Sequence, residues 1–493
     1  MTSTGNVTVQ TDVVIVGTGF SGLGMSRRLC EMDIDHVVLT KESEVGGTWF
    51  LNTYPGLCCD IPIPLYCYRD VPFLDAKRLF PTGPEINRYL INFSYEYGVR
   101  DHIRFNSEID EAHWSDEDHC WHVFTTDGTE YVAPVAISGA GALHIPKHLE
   151  IDGIETFHGD VMHTAEWDHS VQLTGKRVAV VGTGASSIQV VPELVGDINV
   201  AELKLFQRTP PWVLPIGNPS YKSRGKLKHY AYRLYWYLYQ EALGVALTKQ
   251  TWILPFLQRW GIQNIHRAIK DPVLREKLTP KYPIGGKRIG KSKKYYLAIA
   301  DSRTTLVTDS INRICPAGIV TIDENGVETL HEVDVIIEGT GFEVVESYRH
   351  LRLFGINGED LVAKMDRVGL KAYKGTMFPG VPNFFILLGP NTGLGHNSVI
   401  LMIEAQIEWV TKVLRMRDRM KGVDALMPNH DVSEKHNAEL QAAFEGTVWT
   451  KVKNWYQDPR FGTIPTLWPW LVGKFRKQMK HVRREDFDFI ISR

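Results

Sequence analysis

Two short stretches carry the spacing of a pyrophosphate cradle. The first is Gly17-Thr-Gly19-Phe20-Ser21-Gly22; the second is Gly182-Thr183-Gly184-Ala185-Ser186-Ser187. Small residues at this spacing permit a tight turn and close backbone approach, so a diphosphate can rest on the N-terminus of the helix that follows. Beyond the second cradle stands Gln207-Arg208-Thr209, a cation where a ribose-binding acid is usual. Arginine there suits a 2′-phosphate and favours NADPH over NADH. Beyond the first cradle the equivalent place is Thr40, with Lys41 and Glu42 next. Thr40 lacks the bidentate acceptor of a carboxylate, and Glu42 is the acid that can substitute. Two cradles in one chain imply two dinucleotides. NADPH and FAD are the natural pair, one delivering a hydride and the other accepting it. A flavin disulfide reductase would share this layout, but it needs a spaced redox cysteine pair, and Cys58 and Cys59 are adjacent.

The elements that must hold these cradles are legible around them. Residues 12–16 form an apolar run of the kind buried in a parallel sheet, Leu23 to Met32 reads as a helix and His36 to Leu39 as a second strand. The pattern repeats with a strand over 177–181, a helix to about Val195 and a strand over 201–206. Each unit closes on a small-residue turn, Ser138 to Gly141 and Gly339 to Gly341. The expected fold is α/β: two Rossmann-like dinucleotide-binding domains with a helical insertion. Residues 1–148 and 380–493 form the FAD-binding domain, 149–217 and 285–379 the NADPH-binding domain, and 218–284 the insertion. The insertion carries a dense aromatic run, Tyr230 to Gln240, with Tyr232 and Trp236, and Tyr235 and Tyr239, four apart on a helix. Packing in a core or pocket is its expected role; contact with a membrane surface requires these rings to be exposed.

Composition bounds the rest. The chain has 493 residues, 43% hydrophobic and 23% charged, with a formal net charge of −2 and no long basic run, which argues against nucleic acid as the main partner. The first residues lack the pattern of a signal peptide, and no apolar stretch reaches membrane-spanning length. Cys30, Cys58, Cys59, Cys67, Cys120 and Cys315 show no metal-binding spacing, so no metal site is expected, and their scatter fits a reduced, cytoplasmic protein.

Between the cradles, Phe157-x-Gly159-x-x-x-His163-x-x-x-Trp167-Asp168 resembles the fingerprint of class I Baeyer–Villiger monooxygenases. Gly46-Gly47-Thr48-Trp49, Tyr54-Pro-Gly56, Asp60, Gln207-Arg208-Thr209, Lys287-Arg288 and the run Gly389 to Asn397 also look like that family's sequence. The resemblance implies an NADPH- and O2-dependent flavoenzyme that forms a flavin peroxide and inserts one oxygen beside a ketone carbonyl, giving an ester or lactone. By the same resemblance, Arg288 is the fixed cation that stabilises the anionic nucleophile and adduct, and Asp60 its carboxylate partner. Arg208, Thr209 and Lys287 hold the 2′-phosphate, Gly47, Thr48, Trp49, Asp60 and Tyr66 contribute to the flavin site, and Trp455 lies near the nicotinamide. His163 is expected to link the two domains, with a hydrogen-bonded core histidine as the plain alternative; Trp167 packs in the core, and Tyr295-Tyr296 is structural. Two positions depart from the family pattern: Thr40 replaces a glutamate, and Gly339, preceded by Glu338, replaces an alanine preceded by an apolar residue. A charge at 338 would perturb NADPH or face water. Other readings are a flavin monooxygenase acting on nitrogen or sulfur, and, because of Thr40, a non-catalytic flavin-binding protein.

Overall fold

The computed structural model describes residues 7–221, 225–249, 252–349 and 352–492. Two five-stranded parallel sheets hold the cradles. The first runs Phe384–Ile386, Val135–Ser138, Val13–Val16, His36–Leu39, Ile103–Arg104. The second runs Thr304–Val307, Glu202–Phe206, Arg177–Val181, Val335–Glu338, Asp160–His163. Their central strands are Val-rich apolar runs because both faces are covered, and Val14, Ile15, Val180 and Ile337 are fully buried. Each Val-rich strand turns through its cradle into a helix, Phe20–Cys30 and Ala185–Val195. The α/β architecture expected from the sequence is the one observed.

A third sheet, in the order Thr8–Gln10, Glu130–Ala133, Trp121–Thr125, Ile109–Trp114, Arg352–Phe354, corrects one expected boundary. The second unit was expected to keep the chain to residue 379. Instead, Arg352–Phe354 pairs in parallel with Ile109–Trp114. Leu361, Met365, Leu370 and Phe378 then share a core with Val14, Leu39 and Trp114. Helix Leu361–Val368 is amphipathic, and the surface that covers its apolar face belongs to the first unit. The chain is therefore back in the first unit by residue 352. The stretch 157–168 is also more than a polar connector, because Asp160–His163 is the edge strand of the second sheet.

The insertion forms helices Lys226–Lys249, Ile253–Ala268 and Pro272–Leu278. It bridges the units: Ile265, Ile269 and Leu278 join the second unit's core, whereas Ala246, Leu247 and Leu254 pack in the cluster containing Ile63 and Leu65. The expected packing of its aromatic run holds only in part: Trp236 and Tyr237 are half-buried against the first core. The buried positions of the first helix are His229, Arg233, Gln240, Gly244, Ala246 and Leu247. Tyr230, Tyr232, Tyr235 and Tyr239 are exposed. The anchor is Arg233, whose guanidinium donates inward to Pro64 O at 2.7 Å and Cys67 O at 3.1 Å and meets Glu404 at 3.2 Å. Fixing that face inward turns the aromatic face outward. Among the described residues no helix is long and apolar enough to cross a membrane.

Candidate active site

At the first cradle, Gly17 adopts φ +93°, and a side chain there would also place its Cβ 2.8 Å from Gly139 O. The closing turn thus packs directly on the cradle. Gly22 lies behind, against the Gly17 carbonyl, where no Cβ fits. The helix begins at Gly19 without a side-chain cap, so its first amides are free for an anion. A cleft opens over this turn; Gly17, Gly19, Phe20, Ser21, Thr40, Gly47, Thr48, Trp49 and Tyr66 line it. Trp49 Nε1 donates to Tyr66 Oη at 3.1 Å, and Phe20 meets the Tyr66 ring edge-on at 5.4 Å. Thr40 is buried, and its oxygen already accepts from Thr18 Oγ1 at 3.2 Å and from the Glu42 amide at 3.3 Å. Glu42 lines the same cleft, as does Glu108, which no sequence motif marks.

At the second cradle, Gly182 has φ +111°, and helix Ala185–Val195 starts at Gly184, again uncapped. Thr183 donates its hydroxyl to Thr209 O at 3.1 Å, tying the turn to the stretch that bears Arg208. Burial, and then the Arg208 charge, lower the Lys287 pKa. Lys287 also lies over the Tyr282 ring at 5.4 Å, and two neighbouring cations suit an anion.

Both departures in this turn have a physical reason. Ser187 is fully buried and its hydroxyl presses on Gly339, leaving no space for a Cβ at 339. A serine at the cradle's third small position thus favours glycine where alanine is usual. Glu338 neither faces water nor opens toward a nucleotide. It is 2% exposed and accepts from His148 Nδ1 at 2.7 Å and the Leu149 amide at 2.9 Å, pinning the incoming chain.

Arg288 and Asp60, 228 positions apart, meet in a bidentate pair with both N···O distances at 2.6 Å. Each side chain keeps about a third of its surface open, at 36% and 29%. Burial works to raise the Asp60 pKa, but the Arg288 charge and hydrogen bonds prevail and bring it to about 2. The Asp60 carboxylate in turn holds Arg288 firmly protonated. Lys291 Nζ donates to Asp60 O at 2.6 Å, a contact that sequence reading missed although Lys291 lies in the same basic run. Asn454 Nδ2 donates to Gly286 O at 3.0 Å, which fixes the 454–456 turn against this loop. Trp455 is half exposed, its ring 4.2 Å from that of Tyr456. Tyr456 is buried, and burial pushes its phenol up to about 12, against the pull of the Arg288 charge.

His163 is buried, with burial lowering its pKa. Its Nδ1 accepts from the Ala165 amide at 3.0 Å, and its ring meets His148 and Phe342 edge-on. Ala165 and Phe342 belong to the second unit and His148 ends the first, so His163 sits where the chain passes from one unit to the other. Gly159 fits because its neighbour Asp334 O leaves no room for a Cβ, Phe157 and Trp167 pack on apolar clusters, and Asp168 caps a turn through Ser170. Further ties between the units are side-chain hydrogen bonds. Tyr54 Oη donates to Gln189 Oε1 at 2.8 Å, Gln189 Nε2 donates to Cys58 O at 2.8 Å, and His169 bonds Thr53 at 3.0 Å. Gln189 carries no sequence signal, because a lone glutamine on a helix has none.

Two anion-ready cradles on two parallel sheets, with a fixed cation between segments of both, define a flavin- and pyridine-nucleotide-dependent oxidoreductase. Residues 10–229 match the family model for flavin-binding monooxygenase-like proteins. A Baeyer-Villiger monooxygenase of Pseudomonas aeruginosa is 40% identical over 476 residues, covering 94% of this chain and 88% of that one. The solved complex of OTEMO with FAD and NADP superposes with a TM-score of 0.86 at 26% identity, covering 97% of this chain and 99% of the other. Cyclohexanone monooxygenase from Rhodococcus sp. Phi1 bound to NADP+ gives the same TM-score and identity, over 98% and 100%. The chain belongs to the Baeyer–Villiger monooxygenases of the flavin-binding monooxygenase family. It is an FAD- and NADPH-dependent enzyme of that type, inserting one oxygen atom from O2 next to a ketone carbonyl.

Proposed function

We propose that Arg288, held by Asp60, is the cation of oxygen transfer to a small-molecule ketone. FAD, when bound, supplies the activation of O2, and NADPH supplies the electrons. In the overall reaction the ketone gains one oxygen atom and the second leaves as water, with NADPH oxidised to NADP+. The observation that carries the reading is the bidentate Arg288–Asp60 pair, part-open to solvent and assembled from both sides of the second cradle in sequence. Negative charge must develop on oxygen as it attacks the carbonyl, and a preorganised guanidinium stabilises it without reorganising. Arginine keeps its proton at any working pH, and Asp60 holds the fork in one orientation.

On this reading the flavin cleft is the one over Gly17 to Ser21, with Glu42 binding the ribose in place of Thr40. Arg208, Thr209 and Lys287 hold the 2′-phosphate. Residues 1–148 and 352–493 form the flavin unit, 149–217 and 285–349 the NADPH unit, and Trp455 stands at the mouth between them. All six cysteines are unpaired, which supports a reducing cytoplasmic setting. The test is Arg288→Ala in the FAD-loaded enzyme. NADPH should still bleach the flavin, while ester formation falls by roughly 10²–10³. Ester formed at near wild-type rate would refute the role. Sulfoxide or N-oxide formed in place of ester by the wild type would move the chain to the other branch of the family.

A further inference from the structure

The insertion has charge and exposure that catalysis does not use. Residues 218–284 hold 12 of the chain's 55 Lys and Arg but only 3 of its 57 Asp and Glu, leaving 43 against 54 elsewhere. A strongly basic segment therefore sits on an otherwise acidic protein. The first insertion helix buries Arg233, His229 and Gln240 along with Gly244, Ala246 and Leu247, and it leaves a row of apolar side chains in solvent. Leu227 is 86% exposed, Leu234 60% and Leu238 59%, and Tyr235 and Tyr239 flank them. Positions 227, 234 and 238 follow the helical repeat, so they form one line along a 24-residue helix, about 36 Å long at 1.5 Å per residue. Trp252, 81% exposed, caps the start of the next helix, which exposes Phe256 at 64%. Lys226, Lys228 and Lys249 on the first helix and Arg259 on the second are exposed as well.

We propose that this face docks the enzyme on an anionic phospholipid surface, with the leucines and Trp252 entering the acyl boundary and the lysines and Arg259 meeting lipid phosphates. Three features favour that occupant. Leucine for the acyl region, tyrosine and tryptophan for the headgroup level, and flanking Lys and Arg are the composition of an interfacial helix. Basic side chains near an anionic leaflet each add to binding. A second copy would bring the same basic excess against itself, which repels. The helix lies on the surface, since no described helix is long and apolar enough to cross it.

The experiment is flotation of the full-length FAD-loaded enzyme with vesicles of phosphatidylcholine alone and of phosphatidylcholine mixed with phosphatidylglycerol. Binding is expected only to the anionic vesicles and should weaken with salt. Leu234→Glu with Leu238→Glu should abolish it, and Lys226→Glu with Lys228→Glu should weaken it roughly tenfold or more. Both variants should retain flavin absorbance and wild-type ketone oxidation in solution, which shows that they fold. No flotation with anionic vesicles, or flotation unchanged in the leucine variant, overturns the proposal. A dimer seen by light scattering that the leucine variant converts to monomer assigns the face to a second copy instead, and overturns it too.

Discussion

Replacing Gly339 by alanine tests whether Ser187 dictates the shape of the NADPH cradle. Gly339 does not need the left-handed region of backbone space, so alanine is conformationally allowed and only space forbids it. The added Cβ would drive into Ser187 Oγ, and Val181 O at 3.3 Å blocks retreat on another side. Overpacking of this kind costs about 1–3 kcal/mol, which in a unit of this size lowers Tm by roughly 2–4 °C per kcal/mol. Gly339 O also abuts Gly182, so the strain should reach the cradle and raise the KM for NADPH several-fold while leaving flavin content unchanged. Ser187→Ala supplies the control. It removes a buried hydroxyl that has no partner among the described residues, so alone it should be neutral or stabilise by about 1 kcal/mol. It leaves the Ser187 Cβ position 3.4 Å from the new methyl, an ordinary contact. The double variant should therefore recover the Tm and KM lost in Gly339→Ala. Thermal unfolding and NADPH kinetics on all four proteins complete the cycle. A Gly339→Ala enzyme as stable as wild type, or a double variant no better than the single, would refute the reasoning.

Arg208→Ala should raise the KM for NADPH about 10–100-fold and leave NADH little changed, as expected for one lost charged hydrogen-bonding group; equal losses for both would contradict the 2′-phosphate role. Gln189→Ala leaves Tyr54 Oη and Cys58 O without their partner and should cost about 1–3 kcal/mol, read as a lower Tm with an intact flavin spectrum; an unchanged Tm would show that the tie contributes nothing. Glu42→Gln should weaken FAD retention on dilution, and full retention would return the ribose contact to other groups. Burial pulls His36 and His229 down to about 4. The unfolded chain takes up those protons near 6.5, so this stability is complete above pH 6.5 and is lost as pH falls toward 4. At pH 5 the loss is about 2 kcal/mol for each residue, and a Tm that stays flat from pH 7.5 to pH 5 would contradict it.

What the residues themselves declared was local. The cradles were legible because glycine at a forced positive φ, an apolar strand before it and a helix after it all lie within about 20 residues. The family followed from fixed spacings such as 157–168. Distance in sequence hid the rest. That Arg288 meets Asp60 came from resemblance, since nothing in either stretch names the other. Gln189, Glu108 and Asn454 act through partners more than 60 positions away, or through a cleft that only folding creates. Composition read the aromatic run 230–240 as packing, because aromatic side chains usually are buried. The tertiary structure decided otherwise for Tyr230, Tyr232, Tyr235 and Tyr239: one inward arginine with three oxygen partners fixes the helix's rotation, and rotation determines which face meets water. Sequence sets which residues share a face; only the packing of the whole chain sets where that face points.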